Sequence, residues 1–170
     1  MEREKLISQM NANTEELLDL LSHLSQTDIN TVPFEGSWTA GQLVKHVIKS
    51  NSGFLQMLKG PVRESKREPD ELIERIKTDF LNFNVKVKSP EFVVPEKIDY
   101  NKEDLLSSLE ALNSKLNESV QSLDLTKTCS AFELPVYGYL TRSEAVHFII
   151  YHTQRHIHQL KNIIEKLNKK

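Results

Sequence analysis

Apolar positions recur at intervals of three and four in four stretches of the chain, and each stretch predicts an amphipathic helix. In the first, Leu6, Met10, Leu17, Leu20, Leu21 and Leu24 form a stripe on an otherwise charged segment. The second opens at SWTAGQ, where Thr39 and Gln42 have the form of a capping box, and continues through Leu43, Val44, Val47, Phe54 and Leu58. It stops near the breaker pair Gly60-Pro61. The third opens after Asn101 and carries Leu105, Leu109, Leu112, Leu116, Val120 and Leu123 at nearly heptad spacing. The fourth opens at Thr141, with Glu144 completing a second capping box, and runs towards Asn168.

Residues 61–100 form a long connection between the second and third helices. Within it Leu72, Ile73, Ile76 and Phe80 make a shorter amphipathic stretch, and the two prolines of SPEFVVPE demand extended or turn structure. A link of this length lets two neighbouring helices run parallel, an order other than simple up-down-up-down. No strong hairpin signal and no internal repeat appears. The expectation is an all-α, four-helix bundle in a single domain spanning 1–170.

Composition narrows the function classes. The 22 basic and 24 acidic residues give a net charge of −2 and are interleaved throughout, so the basic face that nucleic-acid binding requires is missing. No apolar run approaches the roughly 18 residues of a membrane span, and MEREKLISQM lacks the apolar core of an export signal. The one cysteine, Cys129, cannot form an internal disulfide, which fits a cytoplasmic location. It reads as a small half-buried residue, since no histidine or helix start lies near it.

The candidate chemistry lies in YHTQRHIHQLKNII, residues 151–164, with three histidines in seven positions. At about 100° per residue, and with Ile149 as origin, Ala145, Val146, His152, Thr153, His156, Leu160, Ile163, Ile164 and Leu167 fall within roughly 60°. His152 and His156 thus stand in the apolar face, whereas His147 and His158 point the other way and read as solvated surface. Two imidazoles at i and i+4 project side by side, a spacing at which both can reach one ion. Burying them without partners is costly, so either a shared metal or a facing carbonyl or hydroxyl for each ring must satisfy them.

His46, at the edge of the second helix's apolar face, supplies a third ligand if it points inward rather than to the rim. Three neutral histidines with a position left for water or substrate make the catalytic pattern of a divalent ion such as zinc or nickel. HTQRH lacks the glutamate of the H-E-x-x-H peptidases. Glu144-Ala-Val-His147 matches one copy of the di-iron Glu-x-x-His motif, but two are needed, and this one is expected to face outwards. Arg155 and Gln159, beside the candidate ligands, are candidates for a proton acceptor or substrate clamp, but their angles put them off the central stripe, where ordinary surface roles are expected. Trp38 reads as a staple against Leu43 or, alternatively, as a lining of the site's mouth. Phe132, Tyr137 and Tyr139 either face that mouth or close one end of the bundle. None of these is assigned a catalytic role.

SWTAGQLVKHV, with a tryptophan shortly before a histidine, and YHTQRHIHQL together resemble the DinB/YfiT-like superfamily, damage-inducible four-helix proteins that include bacillithiol- and mycothiol-dependent transferases. The likeness spans nearly the whole chain. It implies an up-down-down-up bundle in which His46, His152 and His156 match the positions of three metal ligands, with nickel, zinc or another divalent ion as cofactor. It also implies a homodimer and a low-molecular-weight thiol as partner, transferred to a small electrophile. A metal-dependent hydrolase, or a non-enzymatic bundle stabilised by its metal, is the alternative. No nucleic-acid or membrane partner is implied.

Overall fold

The computed structural model describes residues 2–86 and 88–169. Its long helices are α1 (Glu2–Ser22), α2 (Ala40–Lys59), α4 (Lys102–Ser122) and α5 (Arg142–Asn168), with a shorter α3 (Ile73–Leu81) in the connection. The start signals act as the residue types require. Thr39 and Thr141 each accept a hydrogen bond from the backbone N–H three residues on, and the Gln42 and Glu144 side chains in turn accept from the cap backbone N–H, so both capping boxes form. Asn101 caps α4 through Asp104 N–H.

Side-chain contacts define the directions of the helices. Arg3 donates to Val120 O and Lys102 to Ser22 O, so α1 and α4 are antiparallel. Asn13 donates to Ile150 O and Lys161 pairs with Glu16, so α1 and α5 run parallel. Asn51 meets Thr153 while Arg142 donates to Leu58 O, so α2 and α5 are antiparallel. The order α1, α2, α4, α5 is therefore up-down-down-up. Because α2 and α4 point the same way, the chain must return the full length of the bundle between them. This return is the physical reason for the long connection.

A buried apolar cluster drawn from all five helices fills the interior, with Leu17, Leu21, Leu58, Ile76, Ile150 and Leu160 among its fully enclosed members. α3 packs along α5, which buries Phe148 and Arg155 as well as most of its predicted stripe. The fit is tight where α2 begins: a Cβ on Gly41 would stand 3.0 Å from Ile29 O and 3.3 Å from Tyr100 Cβ.

Two features depart from the sequence expectation. Val62–Arg63 and Thr128–Cys129 pair as a two-residue antiparallel ribbon that joins the connection to the segment before α5. No local hairpin signal could announce it, because the partners are distant in sequence. Glu144 does not face outwards but is 0% exposed. Its carboxylate accepts from both terminal nitrogens of Arg67, from Leu72 N–H and from Thr141 N–H, and these donors make the buried charge tolerable.

Candidate metal centre

The antiparallel contact of α2 and α5 brings three imidazoles together near the middle of the bundle. His46 is 2% exposed, His152 7% and His156 5%. The i, i+4 spacing on α5 puts His152 Nε2 3.0 Å from His156 Nε2, and His46 Nε2 from α2 stands 3.3 Å from His152 Nε2. Two nitrogens bound to one ion at about 2.0–2.1 Å, at tetrahedral or octahedral angles, lie about 2.9–3.4 Å apart, so these separations suit a common ion.

The outer contacts fix which ring nitrogens carry protons. His46 Nδ1 lies 2.9 Å from Val93 O and His156 Nδ1 2.6 Å from Gln159 Oε1. Both partners are oxygen atoms that can only accept, so in each neutral ring the proton is on Nδ1 and the lone pair on Nε2 faces the cluster. His152 Nε2 faces both of these lone pairs. One proton there could satisfy one neighbour at most, and His152 Nδ1 is buried with no hydrogen-bond partner among the described residues. A cation at the centre satisfies all three Nε2 atoms at once, so the donor set fits a divalent metal.

Electrostatics favour the same state. Burial, then its histidine neighbours and the Arg155 charge, holds His152 well below the ordinary histidine value. Burial likewise pushes His156 down to about 3 and lowers His46. All three rings are therefore neutral near pH 7, the form in which imidazole binds a metal. Among the described residues no carboxylate oxygen or thiol joins the three nitrogens, so a bound ion keeps a position for an exogenous ligand.

Aromatic rings wall the cluster. Phe80 and Phe148 lie 5.5 and 5.6 Å from His152, and Trp38 lies 5.1 Å from His46. Trp38 is thus part of the lining of the site. Tyr137 packs on Phe148 and donates to Asp79, one layer behind the ligands. Tyr139 lies under the Arg63 guanidinium, and Phe132 stands half exposed against Phe92.

Several neighbouring residues differ from expectation. Arg155 is not on the surface: it is buried and donates to Phe80 O, Asn82 O and Val85 O, gathering the carbonyls at the end of α3. Gln159 is likewise no free surface residue, since it holds His156. His147 is half-buried with its Nδ1 against Ser143 O, and His158 stacks on Phe83 at 4.1 Å, so neither is simply solvated. Cys129 is fully enclosed, and burial pushes its thiol up to about 11, an inert state. Sequence reasoning missed Val93 and Phe148. Phe148 was within reach as the i−4 neighbour of His152, whereas Val93 acts through its backbone carbonyl, for which side-chain identity carries no signal.

The chain is similar to known proteins in sequence and in fold. The uncharacterized protein YuaE of Bacillus subtilis (strain 168) is 25% identical over 154 residues, which cover 88% of this chain and 91% of YuaE. The crystal structure of TT2238, described as a four-helix bundle protein, superposes with a TM-score of 0.60 at 18% identity, over 94% of this chain and 98% of its own. YfiT from Bacillus subtilis, described as a probable metal-dependent hydrolase with an unusual four-helix bundle topology, gives 0.64 at 14% identity, over 98% of this chain and 87% of its own. The family model of the DinB superfamily matches residues 9–160, and the chain belongs to that superfamily.

Proposed function

We propose that the protein is a divalent-metal-dependent enzyme, with His46, His152 and His156 as ligands of one nickel or zinc ion, that transfers a low-molecular-weight thiol to a small electrophile. The observation that carries this reading is the convergence of three Nε2 atoms with no fourth protein ligand among the described residues. A divalent ion held there supplies Lewis acidity, lowering the pKa of a thiol or water at its open position.

The chain's own residues do the remainder. The three imidazoles bind while neutral, Val93 O and Gln159 keep their Nε2 atoms aimed inward, and Phe80, Phe148 and Trp38 keep bulk water from the ring faces. In such surroundings a thiolate is poorly solvated and correspondingly nucleophilic. Hydrolysis by an activated water is the second reading, favoured by the description of YfiT as a probable metal-dependent hydrolase. No described helix is long and apolar enough to cross a membrane, which suits a small-molecule substrate taken from solution.

The test is metal content by mass spectrometry of untagged protein purified without chelator, followed by titration of the cobalt-loaded form with cysteine or bacillithiol. Near-stoichiometric nickel or zinc and a new sulfur-to-cobalt absorption band are expected. Protein that takes up no divalent ion overturns the reading. A cobalt spectrum indifferent to thiols but responsive to pH moves it to hydrolysis.

A further inference from the structure

We propose that Gln159 is a positioning residue of the metal centre: its side-chain oxygen holds His156 in the tautomer that aims Nε2 at the ion, and as an amide it does so without offsetting the ion's charge. The inference rests on the three-histidine reading of the site. Gln159 lies one turn beyond His156 on α5, so the contact needs no help from a second element, and its oxygen is 2.6 Å from Nδ1. The other two rings are treated differently. His46 leans on the backbone carbonyl of Val93, and His152 Nδ1 has no acceptor among the described residues. Among the described residues Gln159 is therefore the one side chain that accepts from one of the three rings, and the one outer contact that a substitution can remove.

Its neutrality has a consequence for the exogenous ligand. Carboxylates are common outer partners of metal-bound histidine, where they raise ligand basicity and cancel part of the ion's charge. Here the acceptors are an amide and a carbonyl; the Arg155 guanidinium beside His152 and His156 is held by carbonyl oxygens, and the Lys49 ammonium near His46 is itself paired with Glu96. Among the described residues no carboxylate joins the three nitrogens, so a dication held there would keep its charge, and an anion at the open position would offset it.

Two substitutions separate the two parts. Gln159→Leu keeps the bulk and removes the acceptor; Gln159→Glu keeps the acceptor and adds charge. Cobalt affinity, measured by chelator competition, should fall 10–100-fold in Gln159→Leu and be restored or exceeded in Gln159→Glu. Azide binding, followed in the visible spectrum of the cobalt forms, should be several-fold weaker in Gln159→Glu than in the wild type. Melting temperatures of the metal-free proteins serve as the folding control.

A wild type that takes up no cobalt would remove the metal centre itself. If the wild type binds and Gln159→Leu binds as tightly, or if Gln159→Glu is as impaired as Gln159→Leu, positioning by Gln159 is overturned. If the loss of cobalt affinity in Gln159→Leu is matched by a fall in metal-free melting temperature, the residue packs rather than positions. Azide held equally tightly by the wild type and Gln159→Glu overturns the charge argument.

Discussion

His152 and His156 set their Nε2 atoms 3.0 Å apart on one face of α5, and among the described residues no carboxylate joins them. Two imidazoles left this way, with His46 closing the triangle, are expected to act as one binding unit. His152→Ala should abolish stoichiometric metal, because it removes the nitrogen that faces both others. Mass spectrometry of purified wild-type and variant protein measures this, and full metal retention in the variant would exclude His152 as a ligand.

Metal removal should lower stability. An ion that binds only the folded chain stabilises by RT ln(1 + [L]/Kd), about 2.7 kcal/mol at a hundredfold excess over Kd. Adding chelator should therefore reduce the melting temperature of the wild type and leave that of His152→Ala unchanged. Equal shifts in both proteins would count against a site at these residues.

The metal-free protein should lose stability in acid. Burial holds the three imidazoles below the ordinary value of 6.5, with His156 at about 3. Within that window the unfolded chain binds protons that the folded chain refuses. Stability is thus fully present above about pH 6.5 and falls as pH drops, by about 1.4 kcal/mol per pH unit for each ring still neutral in the fold and protonated in the unfolded chain. Urea titrations at about pH 7 and about pH 5 should show the drop, reduced in the His152→Ala/His156→Ala double variant. An unchanged drop would assign the acid sensitivity to other groups.

Glu144→Ala should cost about 3 kcal/mol, since it strands Arg67 and two backbone N–H groups around a fully enclosed position. Denaturant unfolding measures the loss. A change under about 1 kcal/mol would mean that water replaces the carboxylate freely.

Val136→Gly should stabilise the chain. Pro135 and Val136 occupy the centre of a turn closed by Tyr137 N–H on Leu134 O, and Val136 has φ +76° at 73% exposure. A β-branched residue is strained there, by about 1–2 kcal/mol, and little packing offsets it. After glycine's greater unfolded-state entropy, a net gain of up to about 1 kcal/mol is expected in the unfolding free energy. A loss would show that the valine side chain makes a contact worth more than the strain.

The helices and their starts were legible in the sequence because periodicity and capping are local. Thr39 with Gln42, and Thr141 with Glu144, announce their helices through bonds that span three residues. The inward direction of His152 and His156 follows from 100° per residue on α5 alone. Distances between elements have no such local signature. That His46 points at His152 rather than at the rim depends on how α2 crosses α5. That Arg155 is buried depends on α3 lying along a face of α5 that the stripe of apolar residues left unmarked. The acceptor for His46 is a backbone carbonyl, which every residue possesses, so only the path of the chain through Val93 could select it. The inward pair of candidate ligands was thus written in side-chain chemistry and helical phase, whereas the place of His46 and its contact with Val93 O came from the packing of segments far apart in sequence.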